Sequence, residues 1–262
     1  MDFVRKERYS IDDLCAIMRI LRGENGCPWD RVQTHESIRK NLIEETYEAV
    51  EAIDCHDPSM LKEELGDVLL QVVFHAQIEE ENNSFSFADV TDEICRKLIV
   101  RHPHVFSDVR AENAEEALDN WNQIKKITKG QKTAAETLNA VPKQLPALMR
   151  SEKVQSRARK AGLDYTDASS AFRDLQSEIA ELGSAMDEKN TAHIAEEIGD
   201  TLFAAVNVAR LYDMDPEELL TRACEKFISR FTKVEEMADK EQIDLLHTDS
   251  SVLDRLWNEA KK

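Results

Sequence analysis

Apolar and polar residues alternate with the period of a helix along most of the chain. In the first such stretch, apolar side chains recur every three or four positions from Leu14 to Leu21. Ser10 and Asp13 precede them with the spacing of a capping box, in which each side chain accepts a hydrogen bond from the other residue's backbone. We therefore predict a helix that begins after Ser10 and ends at Gly23.

The rest of the first half predicts further helices, each opened by a capping residue. Thr34 is the expected cap of a helix that reaches about Ile53. Asp57 and Pro58 are expected to open a helix that continues through VLLQVVF. Ser86 and Asp89 are expected to open a helix from about Phe87 to Val100. Another helical run reaches residue 126. The VLLQVVF helix is apolar on nearly every side, so we expect most of it to be buried.

The second half repeats the first in the same order. The segment EELGD at 63–67 returns as EEIGD at 196–200, and WNQIKK at 121–126 returns as WNEAKK at 257–262. Such recurrence indicates a duplicated helical unit. We predict an all-α protein of two tandem helical-bundle domains. The predicted ranges are 1–127 for the first domain, 128–139 for a polar linker that contains Gly130, and 140–262 for the second domain.

The amino-acid composition and net charge limit the kinds of molecule that this chain can bind. Charged residues make up 33% of the chain, aromatic residues only 6%, and there are 7 Gly and 6 Pro, which favours long helices. The net charge of −18 argues against nucleic acid and against an anionic membrane surface, since both attract basic proteins. Five cysteines without a CxxC motif indicate neither disulfides nor a zinc site, and no apolar run suits a signal peptide or a membrane span. We expect a cytoplasmic protein.

Each half carries two pairs of acidic residues, and the members of each pair are three positions apart on one helical face. The first set is Glu45, Glu48, Glu64 and Asp67, and the second is Glu178, Glu181, Glu197 and Asp200, each 133 positions later. If the pairs face each other, two carboxylates ~5 Å apart repel by roughly 3 kcal/mol at an effective dielectric constant near 20. We therefore expect a divalent cation or bound protons in each half.

An all-oxygen site suits Mg²⁺, with Mn²⁺ as a substitute. A di-iron bundle is the alternative, but it needs a Glu-x-x-His unit on each of two helices. The only acid three residues before a histidine is Asp244, which precedes His247. Gly66 and Gly199 lie just before the aspartates, where glycine costs about 1 kcal/mol relative to alanine. A close approach of a helix or ligand would explain both glycines.

Polar residues of the second half suit a phosphorylated ligand. Asn207 lies two helical turns after Asp200, with Arg210 close by, and Lys226 and Arg230 share one face of the next helix. Such cations beside a metal-filled acidic site fit a polyphosphate. For Lys226 and Arg230, an ordinary role at a helix end remains equally open.

Several segments of the chain are distinctive, namely CPWDRVQTHESIRKNLIEETYEAVEAI, both EExGD segments, VPKQLPALMRSEKVQSRARKAGLDY and the terminal WNEAKK. Together they resemble the MazG family of nucleoside triphosphate pyrophosphohydrolases. The resemblance implies an all-α homodimer that uses Mg²⁺ to hydrolyse normal and aberrant NTPs and dNTPs to monophosphate and pyrophosphate, cleaning the nucleotide pool. It also implies that the acids bind metal and act in catalysis, and that Lys226, Arg230, Trp257 and Lys261 contact the nucleotide.

The first half departs from this pattern at the positions of Asn207 and Arg210, where it has Phe74 and Gln77. Phenylalanine cannot donate a hydrogen bond to phosphate, so we expect the second half to be the main catalytic domain. Glu178 or Glu181 is expected to activate the water. A base-selective dUTP or dCTP pyrophosphatase and a nucleotide sensor without hydrolysis are the alternative functions.

Overall fold

The computed structural model describes residues 3–107, 110, 113–128 and 133–262, and within them it has helices but no strand. The prediction of an all-α protein is confirmed. The chain divides into two compact units, which we call the first unit (Met1–Lys125) and the second unit (Lys126–Lys262). Among the described residues, no helix combines the length and the apolar character needed to cross a membrane.

Seven helices begin in the first unit. They are α1 (Ile11–Arg22), α2 (Pro28–Val32), α3 (His35–Asp54), α4 (Pro58–Glu81), α5 (Phe87–Arg101), α6 (Pro103–Phe106) and α7 (Ala114–Thr128). The expected caps are confirmed: Ser10 and Ser86 form capping boxes, and Thr34 and Asp57 accept backbone hydrogen bonds at the starts of α3 and α4. Local sequence therefore determines where these helices begin.

Six helices follow in the second unit. They are α8 (Ala134–Asn139), α9 (Ala147–Lys160), α10 (Ala168–Glu188), α11 (Thr191–Leu211), α12 (Pro216–Glu241) and α13 (Ser250–Ala260). Helix α8 lies in the stretch where we expected a linker. Thr133 and Glu136 open it with a capping box, and it packs against α9, so this part of the stretch is helical. Residues 129–132 of the expected linker lie outside the described residues.

The core of the first unit forms where α1, α3 and α4 meet. Its buried members are Met18, Ile38, Val73, Phe74 and Ile78. In the second unit, α10 and α11 pack along their lengths, and α12 packs against α13 around Val234, Ala238, Leu256 and Ala260. The two acidic segments thus lie on tightly paired helices, α3 with α4 and α10 with α11.

The expected burial of the VLLQVVF helix holds for part of it. In α4, Val73, Phe74 and Ile78 are buried, while Leu65 and Leu69 are 53% and 39% exposed. Among the described residues, no other helix comes close to Gly66 or Gly199, and the close approach of a ligand there stays a prediction. A Cβ atom added at either glycine would have no neighbour within 4 Å among the described residues outside its own helix backbone.

Candidate active site

Three carboxylates meet between α10 and α11 in the second unit. Glu178 on α10 and Glu197 and Asp200 on α11 each offer an oxygen, and these oxygens all lie within 4.8 Å of one another. Glu197 is buried, Glu178 is half-buried and Asp200 is exposed. The two helices are joined by Lys189 and Asn190 alone, which holds the acids of α10 beside those of α11. We call these three residues the second-unit acid cluster.

The fourth predicted acid, Glu181, lies outside this cluster. Its Oε1 accepts a hydrogen bond of 3.1 Å from Ser177 Oγ. Burial, followed by the negative charges of Glu181, Asp174 and Asp200, raises the pKa of Glu178 above its ordinary value. The acids therefore repel one another, and a cation bound among them would relieve that repulsion.

The first unit contains a matching cluster of Glu45, Glu48 and Glu64, whose oxygens also lie within 4.8 Å of one another. Asp67 lies outside this set. Burial raises the pKa of Glu45 most, and the negative charge of Asp67 is the next largest cause. Burial and the neighbouring Glu48 raise the pKa of Glu64 as well. Each unit thus brings three of its four predicted metal ligands together and keeps the fourth near them.

His193 contacts the second-unit cluster, and the sequence analysis missed it. Its Nε2 lies 3.0 Å from Glu197 Oε1, and its Nδ1 lies 3.8 Å from Glu188 Oε2. The signal was present, since residues four apart are neighbours on a helix. The corresponding residue of the first unit, 133 positions earlier, is Met60.

Asn207 and Arg210 are buried and bound to the chain itself. The guanidinium of Arg210 donates two hydrogen bonds to the carboxylate of Asp164, and it donates to Asn207 Oδ1 from Nε at 3.2 Å and from a terminal nitrogen at 2.9 Å. These bonds to Arg210 hold the pKa of Asp164 below its usual value. The predicted contact of both residues with a triphosphate stays a prediction, and Asp164 is a partner that sequence reasoning missed.

The segment 162–167 leads from α9 to α10 and lies against the acidic helices. Asp164 binds Arg210 on α11, and the hydroxyl of Tyr165 donates a hydrogen bond of 2.5 Å to Asp174 on α10. Burial, the bond to Asp174 and the charge of Glu178 raise the pKa of Tyr165 to about 12. Tyr165 is therefore neutral at physiological pH and lies close to the acid cluster.

The first unit holds its corresponding segment in another way. Phe74 and Gln77, which replace Asn207 and Arg210, are both buried. Arg22 of α1 lies over the Phe74 ring at 5.2 Å, donates to both carboxylate oxygens of Glu81, and donates to the carbonyls of Asp30 and Gln33. An arginine from a different helix thus stabilises the segment before the first acidic helix.

The predicted nucleotide contacts lie on α12, on α13 and at Lys261 just after α13. Lys226 is exposed and Arg230 half-buried on α12, and the Trp257 ring lies 5.1 Å from that of Phe227. Lys261 donates to Asn258 Oδ1 at 3.0 Å. Among the described residues, neither Lys226 nor Arg230 forms a hydrogen bond or ion pair with the acid cluster. The structure therefore places Trp257 against Phe227, the residue after Lys226, and the predicted contacts of Lys226 and Arg230 with a triphosphate stay predictions.

The donor set of the second unit fits Mg²⁺ or Mn²⁺. All three ligands are carboxylates, the type that these hard cations prefer. Glu197 Oε2 is buried without a hydrogen-bond partner in the described part of the chain, and such an oxygen is costly unless a cation binds it. This observation supports a metal site independently of the sequence pattern.

Comparison with known proteins agrees with this geometry. The family model described as MazG nucleotide pyrophosphohydrolase domain matches residues 33–106 and 167–235, which include both acid clusters. A Thermotoga maritima protein named nucleoside triphosphate pyrophosphohydrolase/pyrophosphatase MazG is 42% identical over 250 residues, covering 95% of each chain. The chain belongs to the MazG family.

Two further relatives show how far this similarity to MazG proteins extends. The Escherichia coli K12 nucleoside triphosphate pyrophosphohydrolase is 41% identical over 255 residues, which cover 96% of this chain and 97% of that protein. The Bacillus subtilis uncharacterized protein YabN is 46% identical over 248 residues, which cover 94% of this chain but only 50% of YabN. The MazG similarity thus spans both units.

Proposed function

We propose that this MazG protein hydrolyses nucleoside triphosphates, including deoxy and aberrant forms, to nucleoside monophosphate and pyrophosphate in a Mg²⁺-dependent reaction. The observation that carries the proposal is the cluster of three carboxylate oxygens within 4.8 Å in each unit, in a chain of this family. The names of the relatives support the reaction. Removal of aberrant nucleotides from the cytoplasmic pool is the corresponding cellular role.

The proposed mechanism places the reaction at the second unit. Glu178, Glu197 and Asp200 would hold Mg²⁺, which neutralises the triphosphate and lowers the pKa of a water. Glu178 accepts the proton of the attacking water at a carboxylate oxygen. Glu181 is the alternative base. The water attacks the α-phosphorus, and pyrophosphate leaves.

Lys226 and Arg230 are proposed to bind the leaving pyrophosphate, and Trp257 and Lys261 to contact the nucleotide. Among the described residues, Lys226 and Arg230 have no ion-pair partner, so their charges are available. Lys97 and Arg101 near the end of α5 have the same spacing of four, but Lys97 pairs with Glu93 at 3.2 Å, and Arg101 lies 5.3 Å from the Trp121 ring centre. This difference supports the second unit as the main catalytic site.

A homodimer is part of the proposal. Helix α12 exposes large apolar side chains over three turns, namely Leu220, Phe227, Ile228 and Phe231. An apolar surface of this extent on a helix is typical of an interface. A second copy would cover it. Light scattering of the purified protein tests the dimer.

The decisive experiment compares two equivalent substitutions. Asp200→Asn should abolish pyrophosphate release from ATP with Mg²⁺, with a loss of at least about 100-fold, because the second-unit cluster loses a ligand charge. Asp67→Asn should retain most activity. Products are identified by ³¹P NMR, and circular dichroism checks folding. Full activity of Asp200→Asn would contradict the site assignment.

A panel of NTPs and dNTPs distinguishes the remaining alternatives. Turnover of one base alone would replace the broad activity with a base-selective pyrophosphatase. Binding of nucleotides without any monophosphate formed would replace the enzyme with a sensor. Broad conversion to monophosphate and pyrophosphate is the result we expect.

A further inference from the structure

We propose that His193 is a positioning residue that orients Glu197 for cation binding, and that this contact makes the second-unit metal site tighter than the first-unit site. The inference rests on the proposed Mg²⁺ site. It concerns a residue that neither the acid pattern nor the family resemblance pointed to. It also offers a physical reason for a difference between the two units.

The contact leaves one oxygen of Glu197 free. The Glu197 side chain is 8% exposed, and His193 Nε2 lies 3.0 Å from its Oε1. Its other oxygen, Oε2, is buried and has no hydrogen-bond partner in the described part of the chain. With Oε1 in contact with the imidazole, Oε2 remains as the donor for a cation.

His193 is itself held between the two acidic helices. It lies in the first turn of α11, one turn before Glu197, and its Nδ1 lies 3.8 Å from Glu188 at the end of α10. The imidazole therefore lies between the last residue of α10 and a buried ligand of α11. A hydrogen-bond donor to a ligating carboxylate fixes ligand orientation, and loss of such a donor typically lowers metal affinity by about 10- to 100-fold.

The first unit lacks this arrangement. Met60 replaces His193, and its thioether cannot donate a hydrogen bond. Glu64, the counterpart of Glu197, has carboxylates as its neighbours in the cluster, since oxygens of Glu45, Glu48 and Glu64 lie within 4.8 Å of one another. In the described part of the first unit, no histidine, lysine or arginine forms an ion pair with Glu64, whereas His193 lies 3.0 Å from Glu197.

The test measures Mn²⁺ binding to the full chain by electron paramagnetic resonance and calorimetry. Glu64→Gln is present in every protein compared, so that the second-unit site is observed alone. His193→Met copies the first unit and should weaken Mn²⁺ binding by about 10-fold or more. His193→Gln carries an amide donor of similar reach, so its affinity should stay within about threefold of the parent.

A matching gain is expected in the first unit. For this test the protein carries Asp200→Asn, which weakens the second-unit site, and keeps Glu64. Adding Met60→His should then increase the Mn²⁺ affinity of the first-unit site by about 10-fold. In steady-state assays, His193→Met should raise the Mg²⁺ concentration for half-maximal rate, while the rate at saturating Mg²⁺ changes by less than about threefold. A substitution that only disturbed the fold would lower both.

Several results would overturn the inference. The inference is wrong if His193→Met binds Mn²⁺ as tightly as the parent does. It is also wrong if His193→Gln binds Mn²⁺ as weakly as His193→Met, because packing of the imidazole, and not hydrogen-bond donation, would then set the affinity. A parent protein that binds no Mn²⁺ would also reject it. Failure of the proposed function has a different signature: Mn²⁺ binds and depends on His193, but no pyrophosphate is released.

Discussion

The Arg210–Asp164 pair provides the sharpest test of the second unit's architecture. We expect Asp164→Ala to destabilise the second unit, because it leaves a buried guanidinium without its carboxylate. The Arg210 side chain is 5% exposed and that of Asp164 is 19% exposed, so the pair is largely removed from water. Removing one partner of a fully buried pair costs about 3–5 kcal/mol.

Two features of the structure reduce that cost. Asp164 keeps some contact with water, and Asn207 Oδ1 still accepts hydrogen bonds from Arg210 in the variant. We therefore expect a loss of about 2 kcal/mol in the free energy of unfolding, which corresponds to a fall of roughly 4–8 °C in Tm for a protein of this size. Differential scanning calorimetry of the full chain measures it.

Arg159→Ala is the matched control. Arg159 lies 3.5 Å from the same carboxylate, but its side chain is 61% exposed, so the pair should contribute less than about 0.5 kcal/mol. If Asp164→Ala lowers the Tm no more than Arg159→Ala does, the buried pair contributes little. Arg210 would then be free to bind a triphosphate, and our assignment of a structural role would be refuted.

The pH dependence of the difference gives a second check. The bond to Arg210 lowers the pKa of Asp164 in the folded protein relative to the unfolded chain. Such a carboxylate stabilises the fold above its unfolded pKa of about 3.9, and this contribution is lost as the pH falls through the lower folded pKa. The Tm difference between wild type and Asp164→Ala should therefore be full at pH 6 and should shrink as the pH falls below about 4.

Three further predictions concern the second-unit acids and Tyr165. The pKa of Glu178 is raised in the folded protein, so its negative charge destabilises the metal-free fold once the pH rises above the ordinary glutamate range. In EDTA, Glu178→Gln should therefore have a higher Tm than wild type at pH 7, but not at pH 4. Saturating Mg²⁺ at ~100 times its Kd should stabilise the second unit by about 2.7 kcal/mol, and Glu197→Gln should abolish most of this gain in calorimetry. Tyr165 has a pKa of about 12, so wild type and Tyr165→Phe should show the same rise in tyrosinate absorbance up to pH 10; a larger rise in wild type would contradict the buried hydrogen bond.

Local signals in the sequence predicted the helices well. Ser10, Thr34, Asp57 and Ser86 all cap the helices expected of them, because a cap depends only on residues within one turn. The same local reasoning failed for α8, where the capping box of Thr133 was overlooked in a polar stretch. It also could not show which side of α4 remains exposed, since that depends on which helices pack against it.

The candidate site was predictable as a set of acids but not as a geometry. Spacing alone identified the acids of both units, yet it could not tell that Glu181 and Asp67 lie outside the groups whose oxygens come within 4.8 Å. Nor could it assign a partner to Arg210, because Asp164 lies 46 residues earlier in the chain. His193 was within reach of a helical-spacing argument and was missed.

The sequence by itself determined the helical class, the duplication and the acidic residues, since these follow from periodicity and from contacts within one or two turns. Only the tertiary structure decided which carboxylates meet, which arginine binds the segment before each acidic helix, and which ligand has a histidine beside it. These outcomes depend on how neighbouring helices rotate and pack. That rotation follows from contacts between residues far apart in the chain, such as Arg210 with Asp164, and so no local pattern encodes it.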